Sequence, residues 1–332
     1  MESTNTQLLF FGHIKNGLPP HLSLVDEIAE LLNISIDSAY RRIRGEKPIS
    51  FEEIQVLCGH YKISLDQFLN LKSDAFIFTG KLDNDKYFGF KNWMEEVLKQ
   101  YSIISSFEKK HIYFLLKDLP FNLHFQLPEL AAFKYFVWSR SFLSFKGEKG
   151  VKFAFDYPQF EEHNAVGMKI VNVYNSIPTT EIWNTESINT TIRQIEYYYE
   201  AGRIVSKEQA VILLDNVLQL VNHIEKEAEL GRKFKMGEQP NGASAEYRLF
   251  NNELILGDNS LLAELGDMKV TFINHSIMHF MGTKDVAFNN AMFNNLNNLM
   301  QKSTLISTSN ERERVWFFNR IREEIKHRKS LL

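Results

Sequence analysis

Apolar residues in the first seventy positions recur at helical intervals, and a serine opens each run. Leu24, Ile28, Leu31 and Leu32 form a stripe opposite Asp26, Glu27 and Glu30. Ile54, Leu57 and Cys58 repeat the pattern, as do Leu65, Phe68 and Leu69. Ser23, Ser50 and Ser64 precede these runs, with Asp26, Glu53 and Gln67 three residues later. That spacing lets the serine oxygen accept from a free first-turn amide while the later side chain reaches back. Ser35 supplies a fourth cap. With an earlier helix in "TQLLFFGHIKNG", the pattern predicts about five short helices over residues 1–72 in a small orthogonal bundle.

Asn33 falls where the helix after Ser23 must stop and the chain must turn sharply. A left-handed residue, usually Gly and sometimes Asn, makes such a stop. The helix, the short turn and a second helix from Ser35 form a helix-turn-helix candidate. Ile36, Ala39 and Ile43 share one face of the second helix and are expected to anchor it. Asp37, Ser38, Tyr40, Arg41, Arg42 and Arg44 spread over the remaining surface.

After residue 72 the periodicity predicts long helices at about 90–107, 127–145, 165–174, 186–201 and 207–233. The stretch 73–89 reads as a connector. "HIYFLLKDLP" is either a strand or a buried helical segment. "MGEQPNGASA", residues 236–245, reads as a loop. Strand patterns with tight turns follow. Gly266-Asp267 suits a two-residue hairpin loop that sets Glu264 opposite Lys269. Helices at about 285–301 and 311–328 end the chain. The last sets seven bases among four acids, Glu311, Glu313, Glu323 and Glu324, and reads as a solvated amphipathic helix. The expected fold class is mainly α: a five-helix domain over 1–72 and a larger α-rich α+β region. Within that region 73–235 is mostly helical, and 246–332 is α+β with a hairpin and two helices. The latter stands alone or packs with 73–235 as one regulatory or oligomerisation domain.

Composition narrows the function classes. At 332 residues, with 44% hydrophobic and 24% charged, the chain is ordinary globular protein able to bury a sizeable core. A net charge of −3 means that any nucleic-acid surface must be local. The single cysteine, Cys58, rules out an intramolecular disulfide and fits a reducing compartment. "MESTNTQLLFFGHIKNG" lacks a signal peptide's basic region and cleavage site, and the most apolar stretch is interrupted by Glu129, Lys134 and Arg140. A cytoplasmic protein with no membrane association is expected.

"VDEIAELLNISIDSAYRRIRGEKPISFEEIQVLCGHYKISLDQFL" resembles the helix-turn-helix of the Cro/phage-repressor-like family. Ala29 in the first motif helix, the Asn33 turn, the Ser35 cap, Gly45 closing the second helix and the "ISLDQFL" ending carry the likeness, which covers roughly residues 5–70. The resemblance implies a five-helix DNA-binding domain whose second motif helix meets the major groove of double-stranded DNA. It makes Asp37, Ser38 and Arg41 base-contact candidates and Arg42, Arg44 and Lys47 phosphate-contact candidates, with Ser35 and Tyr40 on the same surface. The implied function is a sequence-specific transcriptional regulator acting as a homodimer, with a C-terminal region for oligomerisation or for sensing a small-molecule or protein effector. Seven bases against nine acids leave residues 1–72 at −2. That balance supports the alternative, an interaction scaffold with a degenerate helix-turn-helix.

Other candidate chemistry is weak, and no enzyme, cofactor or metal is expected. His275 and His279 have a zinc-compatible i, i+4 spacing, but Ser276 stands where a zincin needs Glu. His223 and Glu227 read as a surface pair, and Cys58 as a structural thiol. "YYYEAGRIVS" and "FKYFVWSRSF" read as core before pocket lining.

Overall fold

A computed structural model describes residues 6–19, 21–69, 76–80, 89–142, 151–156, 159–254, 257–276 and 279–332. They fall into two units, Met1–Ile77 and Phe78–Leu332. The end of the helix expected at 127–145 and most of the 73–89 connector lie outside the described residues, as does the Gln67 side chain.

Among its described residues the first unit holds five helices: α1 (Thr6–Gly17), α2 (Leu24–Leu31), α3 (Ile36–Ile43), α4 (Phe51–Tyr61) and α5 (Leu65–Phe68). Phe10, Phe11 and Ile14 of α1 meet Ile28, Ala29, Ala39 and Leu57 in its core. Three of its helices end alike. Asn33, Gly45 and Lys62 adopt φ of 52°, 75° and 56°. The next amide then reaches back five residues, Ile34 to Ala29, Glu46 to Arg41 and Ile63 to Cys58. Each closure satisfies free terminal carbonyls and turns the chain within two residues.

The second unit overturns the expectation of a mainly α chain with an α-rich remainder. Its organising element is an eight-stranded mixed sheet. The strands are β1 (Thr79–Gly80), β2 (Lys110–Leu115), β3 (Thr179–Trp183), β4 (Tyr247–Asn251), β5 (Ser260–Leu265), β6 (Met268–Asn274), β7 (Phe280–Thr283) and β8 (Thr304–Leu305). They lie in the order β1-β7-β6-β5-β2-β3-β4-β8. β2, β3 and β4 run parallel, and the other neighbours pair antiparallel. Strands from before and after the 236–245 loop therefore share one sheet. The β5–β6 hairpin has the expected register: Glu264 faces Lys269 at 3.6 Å, and Gly266 takes φ 63°.

Helices cover both faces. α6 (Phe90–Ser106), α7 (Pro128–Phe142), α8 (Phe160–Asn175), α9 (Asn189–Glu200), α10 (Lys207–Leu230) and α12 (Glu311–Leu331) build the large core with Ile112, Phe114, Trp183 and Leu249 from the sheet. A 3-10 helix, Phe121–Gln126, leads into α7. α11 (Val286–Gln301) covers the other face, where Leu296 meets Ile182, Phe250 and Leu262. Alternation along β2 explains the division, with Ile112 and Phe114 on one side and Tyr113 and Leu115 on the other.

Both outer strands are two residues long. Beside β8, the outer rim of β4 is closed by other groups. Ile306 N donates to Leu249 O at 2.9 Å, Leu249 N to Ser307 Oγ at 3.0 Å, and Tyr247 N to Gly231 O at 2.9 Å.

A buried polar network crosses the middle of the unit. The Glu181 carboxylate accepts from the Tyr174 hydroxyl, from Trp183 Nε1 at 2.9 Å and from the Tyr247 hydroxyl at 2.9 Å. Lys233 Nζ donates to Tyr174 O at 2.6 Å, Thr179 Oγ1 at 2.8 Å and Ile177 O at 3.2 Å. Burial raises Glu181 above the ordinary carboxylate range and pulls Lys233 down to about 7, with Glu181 opposing that fall. His223 and Glu227 are buried, not the surface pair expected. His223 Nε2 lies 2.9 Å from Phe234 O, and Glu227 accepts from Phe234 N at 2.9 Å. The histidine pair is not helical either: His275 N donates to His279 O at 3.0 Å in the β6–β7 connection, and the two rings stack.

Removing the central acceptor strands three donors at once. Glu181→Leu is expected to cost about 3–5 kcal/mol, as when one partner leaves a buried network. Glu181→Gln, which keeps an acceptor, should cost about 1–3 kcal/mol. Urea unfolding followed by tryptophan fluorescence measures both; equal losses would remove the special role of the carboxyl group.

Candidate nucleic-acid interface

The surface of α3 follows from how its ends are made. Ser35 Oγ accepts from Ser38 N at 3.2 Å and donates to Ser38 Oγ at 3.1 Å. The helix therefore starts from a side-chain cap, whereas Ser23 makes no such bond at the head of α2. At the other end Gly45 adopts the left-handed conformation and Lys47 follows in the connection to α4.

Only part of the expected anchor is inward. Ala39 is fully buried and Ile43 is half-buried, but Ile36 is 55% exposed. Ile36 belongs to the outer surface. Ile36 shares their side of the helix, but as the first residue of α3 it stands a turn ahead of the buried positions Ala39, Arg42 and Ile43.

Arg42 is also corrected. Expected at a phosphate, it is 6% exposed and points into the unit. Its Nη2 donates to Glu53 Oε1 at 2.6 Å and its Nε to Glu53 Oε2 at 2.9 Å, a bidentate pair. Its Nη1 reaches Ser38 O at 3.2 Å. Glu53 completes a reciprocal box with Ser50 at the start of α4, accepting from Ser50 N at 3.1 Å. One carboxylate thus fixes α3 against α4. The Arg42 guanidinium hydrogen-bonded to Glu53 holds that carboxyl below its usual range.

Gln7 of α1 supplies a second brace, which the residue pattern did not reveal. Its amide donates to Arg42 O at 2.7 Å and Lys47 O at 2.8 Å, and its carbonyl accepts from Ile49 N at 3.1 Å. A glutamine in an exposed-looking helix carries no signal of such a role. Only its position beside three backbone groups, at the end of α3 and in the connection to α4, makes it a clamp.

The remaining candidates form one face. Asp37, Tyr40, Arg41 and Arg44 are exposed at helical spacing i, i+3, i+4 and i+7. The Arg44 guanidinium lies 5.4 Å from the Tyr40 ring centroid and 4.0 Å from the Glu46 carboxylate. Lys47 is exposed beyond the turn. Ser38 is half-buried and engaged with Ser35, so it stands at the margin of this face. Phe51, at the first position of α4, is 82% exposed.

Comparison with known proteins finds no matching family model, no matching curated protein and no matching solved structure. Among the described residues no helix is long and apolar enough to cross a membrane, and no group of three or more His, Cys, Asp or Glu side chains is placed to hold a metal ion.

The Arg42–Glu53 pair makes the first unit acid-sensitive. Because the folded-state pKa of Glu53 is depressed, the pair contributes fully above the unfolded value of about 4.3. Its contribution is lost as pH falls below that value through the lower folded one. Glu53→Gln should remove this sensitivity and cost about 1–3 kcal/mol at neutral pH. Hydrogen exchange of the α3 and α4 amides against pH checks it; an acid profile unchanged by Glu53→Gln would place the sensitivity elsewhere.

Proposed function

We propose that the chain is a sequence-specific DNA-binding transcriptional regulator of the cytoplasm. In this reading its first unit reads double-stranded DNA, and its second unit oligomerises or senses an effector. The observation that carries the reading is the single exposed face of Asp37, Tyr40, Arg41 and Arg44 on a helix set off by the left-handed Asn33 turn. Both ends of that helix are fixed, so its side chains are presented without the entropy of ordering the helix on contact.

Roles follow from chemistry. Arg41 suits a bidentate contact to guanine and Asp37 can accept from cytosine. Arg44 and Lys47 suit phosphates, which position the helix and give the salt dependence. Arg42 acts from inside, by holding α3 in place. With the first 72 residues at −2, one copy offers modest attraction; two copies on a palindromic site about 34 Å apart would add their contacts.

Random-site selection followed by binding titrations at several salt concentrations tests the reading. Arg41→Ala should cost about 1–3 kcal/mol at the selected site and relax one base position. Lys47→Ala should weaken all sequences evenly and reduce the salt slope by about 1. Arg42→Ala should leave that slope alone and lower stability instead. Absence of salt-sensitive binding to any duplex would defeat the proposal. The scaffold reading draws support from exposed Phe51 and Ile36, apolar groups available to a protein partner. It gains if neutralising Arg41 and Arg44 changes nothing in DNA affinity.

A further inference from the structure

The second unit contains a cavity of about 170 Å³. It opens between α6, the end of β2, the 3-10 helix and the β5–β7 strands, and Trp138 of α7 also lines it. An apolar cavity of about 150 Å³ is already large enough to bind benzene. Among the described residues seven rings line the walls: Trp93, Tyr101, Phe114, Phe121, Trp138, Phe272 and Phe280. Tyr101 and Phe121 lie nearly parallel at 6.3 Å, and Phe272 and Phe280 meet edge to face at 5.9 Å. Ring walls of this kind favour a planar guest, through offset and edge contacts beyond simple burial.

The polar groups define the guest further. Among the described residues nothing pairs with the Tyr101 hydroxyl or the Trp138 indole N–H. Asn259 spends its carbonyl on Lys117 N at 2.7 Å and Asp118 N at 3.3 Å, leaving its amide N–H groups for another acceptor. Gln100 is the converse: its amide donates to Glu96 at 2.9 Å and its carbonyl is left over. Residues that line the site thus keep donors, and at Gln100 an acceptor, that no described partner occupies.

Charge decides between ligand classes. Among the described residues Asp118 is the one carboxyl in the lining, and it accepts from Thr191 Oγ1 at 3.4 Å. Behind it the buried Lys134 Nζ donates to Thr191 Oγ1 and to Gln194 Oε1, each at 2.8 Å. The same ammonium lies 5.3 Å from the Trp138 ring centroid, where a ligand cation would otherwise gain from that ring. Asp118 and Lys134 offset each other across Thr191, so the site offers a ligand ion of either sign no net charge to compensate its loss of water. We infer that this cavity is a binding site for a small, neutral, single-ring aromatic molecule carrying one hydrogen-bonding substituent. The inference deepens the sensing half of the proposed function and needs nothing from the DNA-reading half.

Titration calorimetry on the full chain, without DNA, tests it with benzamide, benzylamine and benzoate, one ring in neutral, cationic and anionic form. Benzamide should bind saturably, with each charged analogue at least about tenfold weaker. Tyr101→Phe should weaken benzamide about three- to tenfold by removing a donor. Val97→Phe, which fills the cavity from α6, should abolish binding. If that variant does not fold, Gln100→Trp, a larger side chain at a half-buried lining position, serves instead. The inference is overturned if no probe saturates, if a charged analogue matches benzamide, if Tyr101→Phe changes nothing, or if binding survives the filling variant. DNA is absent from every arm, so failure here and failure of the DNA reading are separate results.

Discussion

A carboxylate in the middle of a sheet must be surrounded by donors or it cannot stay there, and Glu181 sets this demand on the second unit. Its three partners come from α8, β3 and β4, so the helix above the sheet and the register within it are fixed together. Lys233, following α10, extends the same constraint by holding the end of α8 at Tyr174 O and Ile177 O. In a low-dielectric interior such groups cost several kcal/mol each when unpaired, which makes the arrangement specific even where it adds little net stability. Tyr101 lies 5.6 Å from Tyr174, ring to ring, so the cavity wall on that side rests on the network.

The first unit uses one carboxylate for a similar purpose on a smaller scale. Glu53 answers Arg42 and Ser50 together, which turns a basic residue of α3 inward and leaves its neighbours outward. A run of arginines thus divides by geometry into a brace and a surface. Charge counting treats Arg41, Arg42 and Arg44 alike; the helical angle and a carboxylate eleven residues away do not.

How much of this was legible in the sequence varies by element, for physical reasons. Asn33, Gly45, the Ser35 cap and the Ser50–Glu53 box are local signals, readable because a turn or a cap involves only a few adjacent residues. The Glu264–Lys269 register was equally readable, since a two-residue loop determines what lies opposite. β3 was not. "TTEIW" is buried on both faces, so it lacks the alternation that marks a half-exposed strand, and its Glu reads as polar until Tyr174 and Tyr247 are seen beside it. β1 and β8 are too short to carry any pattern, and β7 is only four residues long. Of the candidate surface, Asp37, Tyr40, Arg41, Arg44 and Lys47 are exposed as read, while the burial of Arg42 and the clamp at Gln7 depend on partners distant in sequence. The cavity is likewise nonlocal, since its rings come from six elements spread from α6 to β7.

The short outer strands bear on how copies of this chain can associate. An open sheet ordinarily offers a row of free amides and carbonyls to any passing strand, and so invites fibrous growth. Here β1 covers β7 at Gly282 and Met281, while β8, Ile306, Ser307 and Gly231 occupy the rim of β4. Among the described residues neither side leaves a long run free to template another strand. Side chains on helical surfaces, where shape and charge can limit association to a closed pair, are then a better route to self-association of the second unit than strand addition.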